Sequence, residues 1–254
     1  MCLVAIAHRV RPDLPLVLVA NRDEMHARAT APMHWWSAPP LLAGRDLMAG
    51  GTWFAVDGRG RFGLVTNVRG APVPTGAPSR GELVPRFVAG DQRPGDFLAD
   101  LEADAGRYAG FNLLVGDGTG IRWFSNADGR PAYAPPTGIH ALSNGVPGAS
   151  WPKVRIACER LGAALGAPAP DDAALLAVLA QRSPAPDAEL PDTGVGLALE
   201  RALSPPFIVG PDYGTRSTTV LVIGADGHGR VLEQSHDALG RPFLDRRFAL
   251  PVAR

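Results

Sequence analysis

The chain has 254 residues, with 25 basic and 25 acidic side chains and 46% apolar residues, a length able to bury roughly 70% of the unfolded-chain surface. Zero formal net charge argues against a general nucleic-acid binder, which needs an excess of Lys and Arg to neutralise phosphates. The 30 glycines and 25 prolines sit just under the content that marks disorder, and apolar runs fill the gaps between them, so the chain reads as a loop-rich globular domain.

Residues 3–7 and 16–20 are short apolar runs separated by a Pro-containing turn at 11–15, which predicts a strand pair. Residues 53–56 and 63–66 flank Asp57-Gly58-Arg59-Gly60, a strong hairpin turn. Ser79 with Glu82 three residues on is a capping-box pattern opening a helix through about Val88. A second helix is expected over 95–102, with Phe97, Leu98 and Leu101 on one face and Pro94 in its first turn. Residues 111–115 and 121–124 repeat the hairpin design around Asp117-Gly118-Thr119-Gly120. Ser150 is the expected N-cap of a helix over 154–165. A further helix is expected over 171–180, with Asp172 near its positive end. The Pro-rich stretch 184–193 reads as a surface loop after which strand residues resume, and 216–223 with 231–234 form a last hairpin. Antiparallel hairpins with helices in separate blocks predict an α+β layered fold in a single domain over 1–254.

Two cysteines, Cys2 and Cys158, make no disulfide framework and no metal-ligand spacing. The longest apolar runs, such as 14–20, fall far short of the ~20 residues of a membrane span. Arg9 and Arg11 follow the apolar start instead of preceding it, the reverse of a signal peptide. The expectation is a soluble cytoplasmic protein without an integral membrane segment.

Cys2 becomes the chain terminus once the initiator Met is removed. It then carries a thiol and an α-amine of reference pKa roughly 7.7–8.0, so one residue supplies both nucleophile and base. A small apolar residue opening a strand is the plainer alternative. Asn21-Arg22-Asp23-Glu24 ends the second apolar run beside the strand that begins at Cys2. An Arg there lowers a thiol's pKa and an Asp orients an Arg or an ammonium; a solvated turn with a surface ion pair fits the same residues.

MC at the start and NRDE at 21–24 are followed in order by GGTW (50–53), LVTN (64–67), RGELV (80–84), GFNL (110–113), LSN (142–144), WPK (151–153) and YGTRSTT (213–219). This ordered set, spanning residues 1 to about 235, resembles the NRDE family, also called the transport-and-Golgi-organisation family. The resemblance implies a four-layer αββα sandwich of the N-terminal-nucleophile hydrolase type, whose Cys-type relatives cleave non-peptide amides through a thioester. It further implies Cys2 as nucleophile, Arg22 and Asp23 as the Arg and Asp after the second strand, and Arg216 as the late Arg. Asn67 and Asn144 resemble the asparagines that hold an oxyanion near the scissile carbonyl. The relatives separate their Arg and Asp by two residues, whereas Arg22 and Asp23 are adjacent. On an extended strand neighbours point to opposite faces, so at most one faces Cys2 unless the strand has ended.

No cofactor is required for such hydrolysis. The family is also linked to haem movement, which implies haem as an alternative ligand in the same pocket and a trafficking role without turnover. His8, Met25, His26, Met33, His34 and the Trp35-Trp36 pair are the residues that could serve it, although a lone His is more often a packing or surface residue. Gly50-Gly51 would let the backbone pass close to Cys2 or a ligand, or simply turn into a strand.

Overall fold

The structure, a computed structural model, describes residues 2–251; Met1, on which the processing expectation falls, lies outside the described residues. Two six-stranded antiparallel sheets and five short α-helices make an α+β fold, in agreement with the sequence. The chain groups into two compact units, one made of residues 2–27 and Thr137–Ala249, the other of Arg28–Pro136 together with Leu250 and Pro251.

In the first unit the strands are β1 (Cys2–His8) and β2 (Leu16–Met25), which form the first expected hairpin. Its later strands are β9 (Gly138–Leu142), β10 (Tyr213–Ile223), β11 (His228–His236) and β12 (Pro242–Pro251). They lie in the order β12-β11-β10-β2-β1-β9, so β1 and β2 are interior strands. Period-two alternation sends Leu3, Ala5, Ala7, Val17, Val19, Val220, Val222 and Leu232 to one face. There they pack with Ala157, Leu161 and Leu165 of helix α3 (Pro152–Leu165) and Leu175 of α4 (Asp172–Ala177). At about 25 cal/mol per Å2 of apolar surface, this burial is the main stabilising term. Helix α3 begins one residue later than a Ser150 cap would place it. Trp151 holds the N-cap position because Pro152, with its fixed φ and missing N–H, suits the first helical residue. In α4 the Asp171 side chain accepts from Ala174 N at 2.7 Å and caps as a carboxylate should. A further helix, α5 (Leu197–Ala202), stands where strand residues are expected.

The second unit holds β3 (Thr30–Ser37), β4 (Pro40–Asp46), β5 (Phe54–Val56), β6 (Phe62–Asn67), β7 (Phe111–Asp117) and β8 (Gly120–Ser125), paired in chain order. The β5–β6 turn is set by Asp57, whose Oδ1 accepts from Arg59 N at 2.8 Å and Arg61 N at 2.9 Å, while Gly60 takes φ +80°. Helices α1 (Leu83–Val88) and α2 (Pro94–Asp104) cover one sheet face through Leu83, Val84, Phe87, Phe97 and Leu101. Ser79 caps a short 3-10 turn before α1 by accepting from Gly81 N, while the Glu82 carboxylate accepts the Tyr108 hydroxyl at 2.6 Å. Among the described residues no helix is long and apolar enough to cross a membrane.

Candidate functional site

Strand β2 does not stop at its apolar run. It carries Asn21, Arg22, Asp23 and Glu24 inside the sheet, flanked by β1 and β10, so their faces follow from register. Cys2 pairs with Arg22 and Leu3 with Asn21; residues directly opposite in an antiparallel ladder share a face. Arg22 therefore stands on the face of Cys2, with Glu24 3.7 Å from its guanidinium. Asn21 and Asp23 continue the Val17–Val19 row on the helix-covered face. The adjacency of Arg22 and Asp23 is thus resolved: Arg22 faces Cys2 and Asp23 does not.

Cys2 is buried, and burial pushes its thiol pKa up; the Asp23 and Glu24 charges push the same way and Arg22 opposes them. A thiol so placed needs a base to become a nucleophile. Asp23 is buried too, and burial raises its carboxyl. The Lys153 charge, a 2.7 Å hydrogen bond from the Thr215 hydroxyl and the Arg22 charge offset this only in part, so the carboxyl stays above its ordinary value.

Across the ladder Thr215 pairs with Asp23 and Ser217 with Arg22, so a bulge ejects Arg216 from the register. The half-buried Arg216 guanidinium donates through Nη1 to Met25 O at 2.9 Å and His26 O at 3.1 Å. Burial and the neighbouring Arg22 charge lower its pKa, and Glu24 opposes. On the other flank, β9 pairs with β1 and ends at Leu142, and the next residue's hydroxyl, Ser143 Oγ, lies 3.1 Å from Cys2 O. The same oxygen is 3.2 Å from Oδ1 of the buried Asn144.

Cys2, Arg22, Asp23, Asn144 and Arg216 thus gather at one end of the first unit's sheet. Asn67 belongs to the second unit, as the last residue of β6, opposite Phe111. The residues expected to suit haem do not form one set. His8 ends β1 at the far end from Cys2, Met25 closes β2, and His26 follows it in a turn, where His26 Nε2 meets Gly210 O at 3.0 Å. Met33, His34, Trp35 and Trp36 lie on β3 of the second unit, Trp36 donating to Ala43 O at 3.2 Å. Gly51 also has a structural reason: a Cβ there would meet the Gly81 carbonyl at 2.5 Å. Lys153, Ser143 and Thr215 were visible only as letters of the quoted motifs. The one signal available for Lys153 was that it is the chain's single lysine.

The model of the transport and Golgi organisation 2 family matches residues 1–238. The chain belongs to this family. Among its transport and Golgi organisation relatives, the Bos taurus homologue is 32% identical over 257 residues, covering 92% of this chain and 93% of that protein. The Homo sapiens homologue is 30% identical over 262 residues with the same coverage. Among solved structures, the Caenorhabditis elegans N-acylethanolamine-hydrolyzing acid amidase orthologue is similar, with a TM-score of 0.45 and 11% identity over 87% of this chain and 92% of that one.

Proposed function

We propose that this transport and Golgi organisation protein is a Cys-nucleophile amidohydrolase acting on a non-peptide amide. The observation that carries the reading is the Cys2–Arg22 register pair, which sets a cation beside a thiol that removal of Met1 would place at the chain terminus. In the cycle, the free α-amine of Cys2 takes the thiol proton and Sγ attacks the amide carbonyl carbon. The Asn144 side-chain amide donates to the resulting oxyanion. Collapse of the tetrahedral intermediate breaks the C–N bond, and the α-ammonium proton passes to the leaving nitrogen. Water, deprotonated by the same amine, then hydrolyses the thioester, releasing the acid and restoring the thiol. The burial that raises the thiol pKa makes the built-in base necessary, and Arg22 stabilises the thiolate once formed. Asn67 is assigned no step.

Intact mass and thiol labelling test this. Purified protein is expected to lack one Met residue, and iodoacetamide is expected to modify Cys2, whose own α-amine would deprotonate it, at least about tenfold faster than Cys158 on α3, although Cys2 is the more buried thiol. Retained Met1, or equal labelling of the two cysteines, would overturn the mechanism. A shifted Soret band on hemin titration together with unreactive Cys2 would instead favour a haem-carrying role.

A further inference from the structure

The register that sets Arg22 beside Cys2 continues across two more strands. Arg22 stands opposite Ser217 of β10, and Ser217 opposite Ser235 of β11, so Cys2, Arg22, Ser217 and Ser235 form one row on one sheet face. Two residues along each strand, the next row on that face is Val4, Ala20, Thr219 and Glu233. The row after it, Ile6, Leu18, Leu221 and Val231, is wholly apolar. On β2, β10 and β11 the polar side chains of this face thus gather at the Cys2 end.

The Ser and Thr hydroxyls of β10 divide by face. On the helix-covered face, Thr215 bonds Asp23 Oδ1 at 2.7 Å and Thr218 bonds Asn21 Oδ1 at 2.8 Å. On the face of Cys2, neither Ser217 Oγ nor Thr219 Oγ1 has a hydrogen-bond partner among the described residues, although the two residues are only 5% and 1% exposed. A hydroxyl taken out of water without a partner is costly, and folds rarely leave one so. Sheet formation does not demand either group, since Ala at 217 and Val at 219 would suit a buried strand as well. Cys2 is itself 6% exposed, so burial sets this row no further from a ligand than the thiol.

We infer that Ser217 and Thr219 form a polar subsite of the Cys2 site, which takes a neutral hydrogen-bonding group of the substrate, a hydroxyl or a second amide. Ser217 lies two strand spacings across the sheet from Cys2, about 10 Å, and the group stands at that distance from the scissile carbonyl. A plain hydrocarbon there would leave both hydroxyls unpartnered. The subsite lies between the Arg22 guanidinium and the Glu233 carboxyl, so a cation would meet the first and an anion the second. The inference rests on the proposed function in taking Cys2 as the reactive centre, and it narrows the amide to one that carries such a group.

Two unreactive amides of equal length test it: N-(hydroxyhexyl)acetamide, with a hydroxyl at its far end, and N-heptylacetamide, with a methyl there. Their affinities for the full chain are measured by titration calorimetry. The hydroxyl-ended amide is expected to bind the parent about tenfold more tightly, the worth of one good hydrogen bond. The double variant Ser217→Ala, Thr219→Val is expected to lose that preference and to melt at or above the parent's temperature, because no bond within the fold is removed. Thr219→Ser, which keeps the hydroxyl, is expected to keep the preference.

Equal affinities in the parent, which ordered waters alone in the row would also give, would overturn the inference. So would failure of both amides to bind, or a preference that survives in the double variant. A double variant that melts more than about 5 °C lower, or does not fold, would show that the hydroxyls bond within the fold and would overturn it as well. Neither amide needs a reactive thiol. Absence of selective Cys2 labelling would therefore sink the hydrolase reading without touching this measurement, and equal affinities would remove the subsite without touching that reading.

Discussion

Thr218 has one hydroxyl proton and two neighbours within reach. Asn21 Nδ2 is committed to the Leu179 and Pro206 carbonyls, so its Oδ1 accepts from Thr218 at 2.8 Å. The 3.1 Å contact between Thr218 Oγ1 and His236 Nε2 is therefore donated by the imidazole, which fixes its neutral tautomer. His236 Nδ1 has no hydrogen-bond partner among the described residues, and charging it would bury an unpaired N–H. Burial, assisted by the Arg182 charge, lowers the His236 pKa to about 4. As pH falls the unfolded chain takes this proton first, near its reference value of about 6.5. Stability is therefore unaffected by this group above that pH and declines down to pH 4, by up to about 3 kcal/mol. A His236→Gln variant keeps a donor for Thr218 and is expected to lose this part of the acid slope in urea unfolding at pH 7.5, 5.5 and 4.5. Identical slopes in variant and parent would refute it. At this scale the motif letters were legible and their division of labour was not. Asn21, inside NRDE, is a packing clamp, and only strand register shows it turned away from Cys2.

The hairpins stand out in the chain because turn chemistry is local. Asp57 and Gly60 shape one turn wherever that segment sits. Strands β3, β4, β9 and β12 escaped because their pairing is not announced by an Asp-Gly turn or a clean apolar run. Strand β9 has five residues and gains its identity from lying against β1, and β12 is a largely exposed edge strand carrying Asp245, Arg246 and Arg247. Close approach between elements is equally hidden. Thr52 N donates to Gly81 O at 3.0 Å, and the ideal Cβ of Gly51 lies 2.5 Å from that carbonyl, a backbone group that cannot swing away. Gly51→Ala is expected to cost about 1–3 kcal/mol and to lower Tm by roughly 2–12 °C. Gly58→Ala, with nothing within 4 Å, is the control. A Gly51→Ala variant as stable as Gly58→Ala would show that the two segments do not meet as described.

The first unit is built from two long, distant stretches of chain, whereas the second is almost entirely the single stretch Arg28–Pro136, with Leu250 and Pro251 added. Strand β2 pairs with β10, placing Asp23 opposite Thr215, about 190 residues later, a closure whose entropy must be met before the contact is made. The segment Arg28–Pro136 contains its whole six-stranded sheet and its own helix-packed core. Expressed alone, it is expected to melt cooperatively by circular dichroism. A fragment of Thr137–Ala249 lacks β1 and β2, the strands that join β9 to β10, and is expected to show no cooperative transition. Cooperative melting of the second fragment, or its absence in the first, would contradict this division.

Local physics reaches the reader directly from the sequence: alternation, turn residues, caps and the ordered motifs point to antiparallel α+β structure, to the family and to Cys2 beside an Arg and an Asp. These depend on residues a few positions apart, where backbone geometry and covalent connectivity dictate the outcome. Which of Arg22 and Asp23 faces the thiol, which buried carbonyl the single lysine serves, and that Asn67 belongs to a different unit from Asn144 depend on register and on contacts between distant segments. A one-residue shift in a ladder exchanges the two faces of a strand, and β2 is held in register by partners at both ends of the chain, so only the folded molecule decides them.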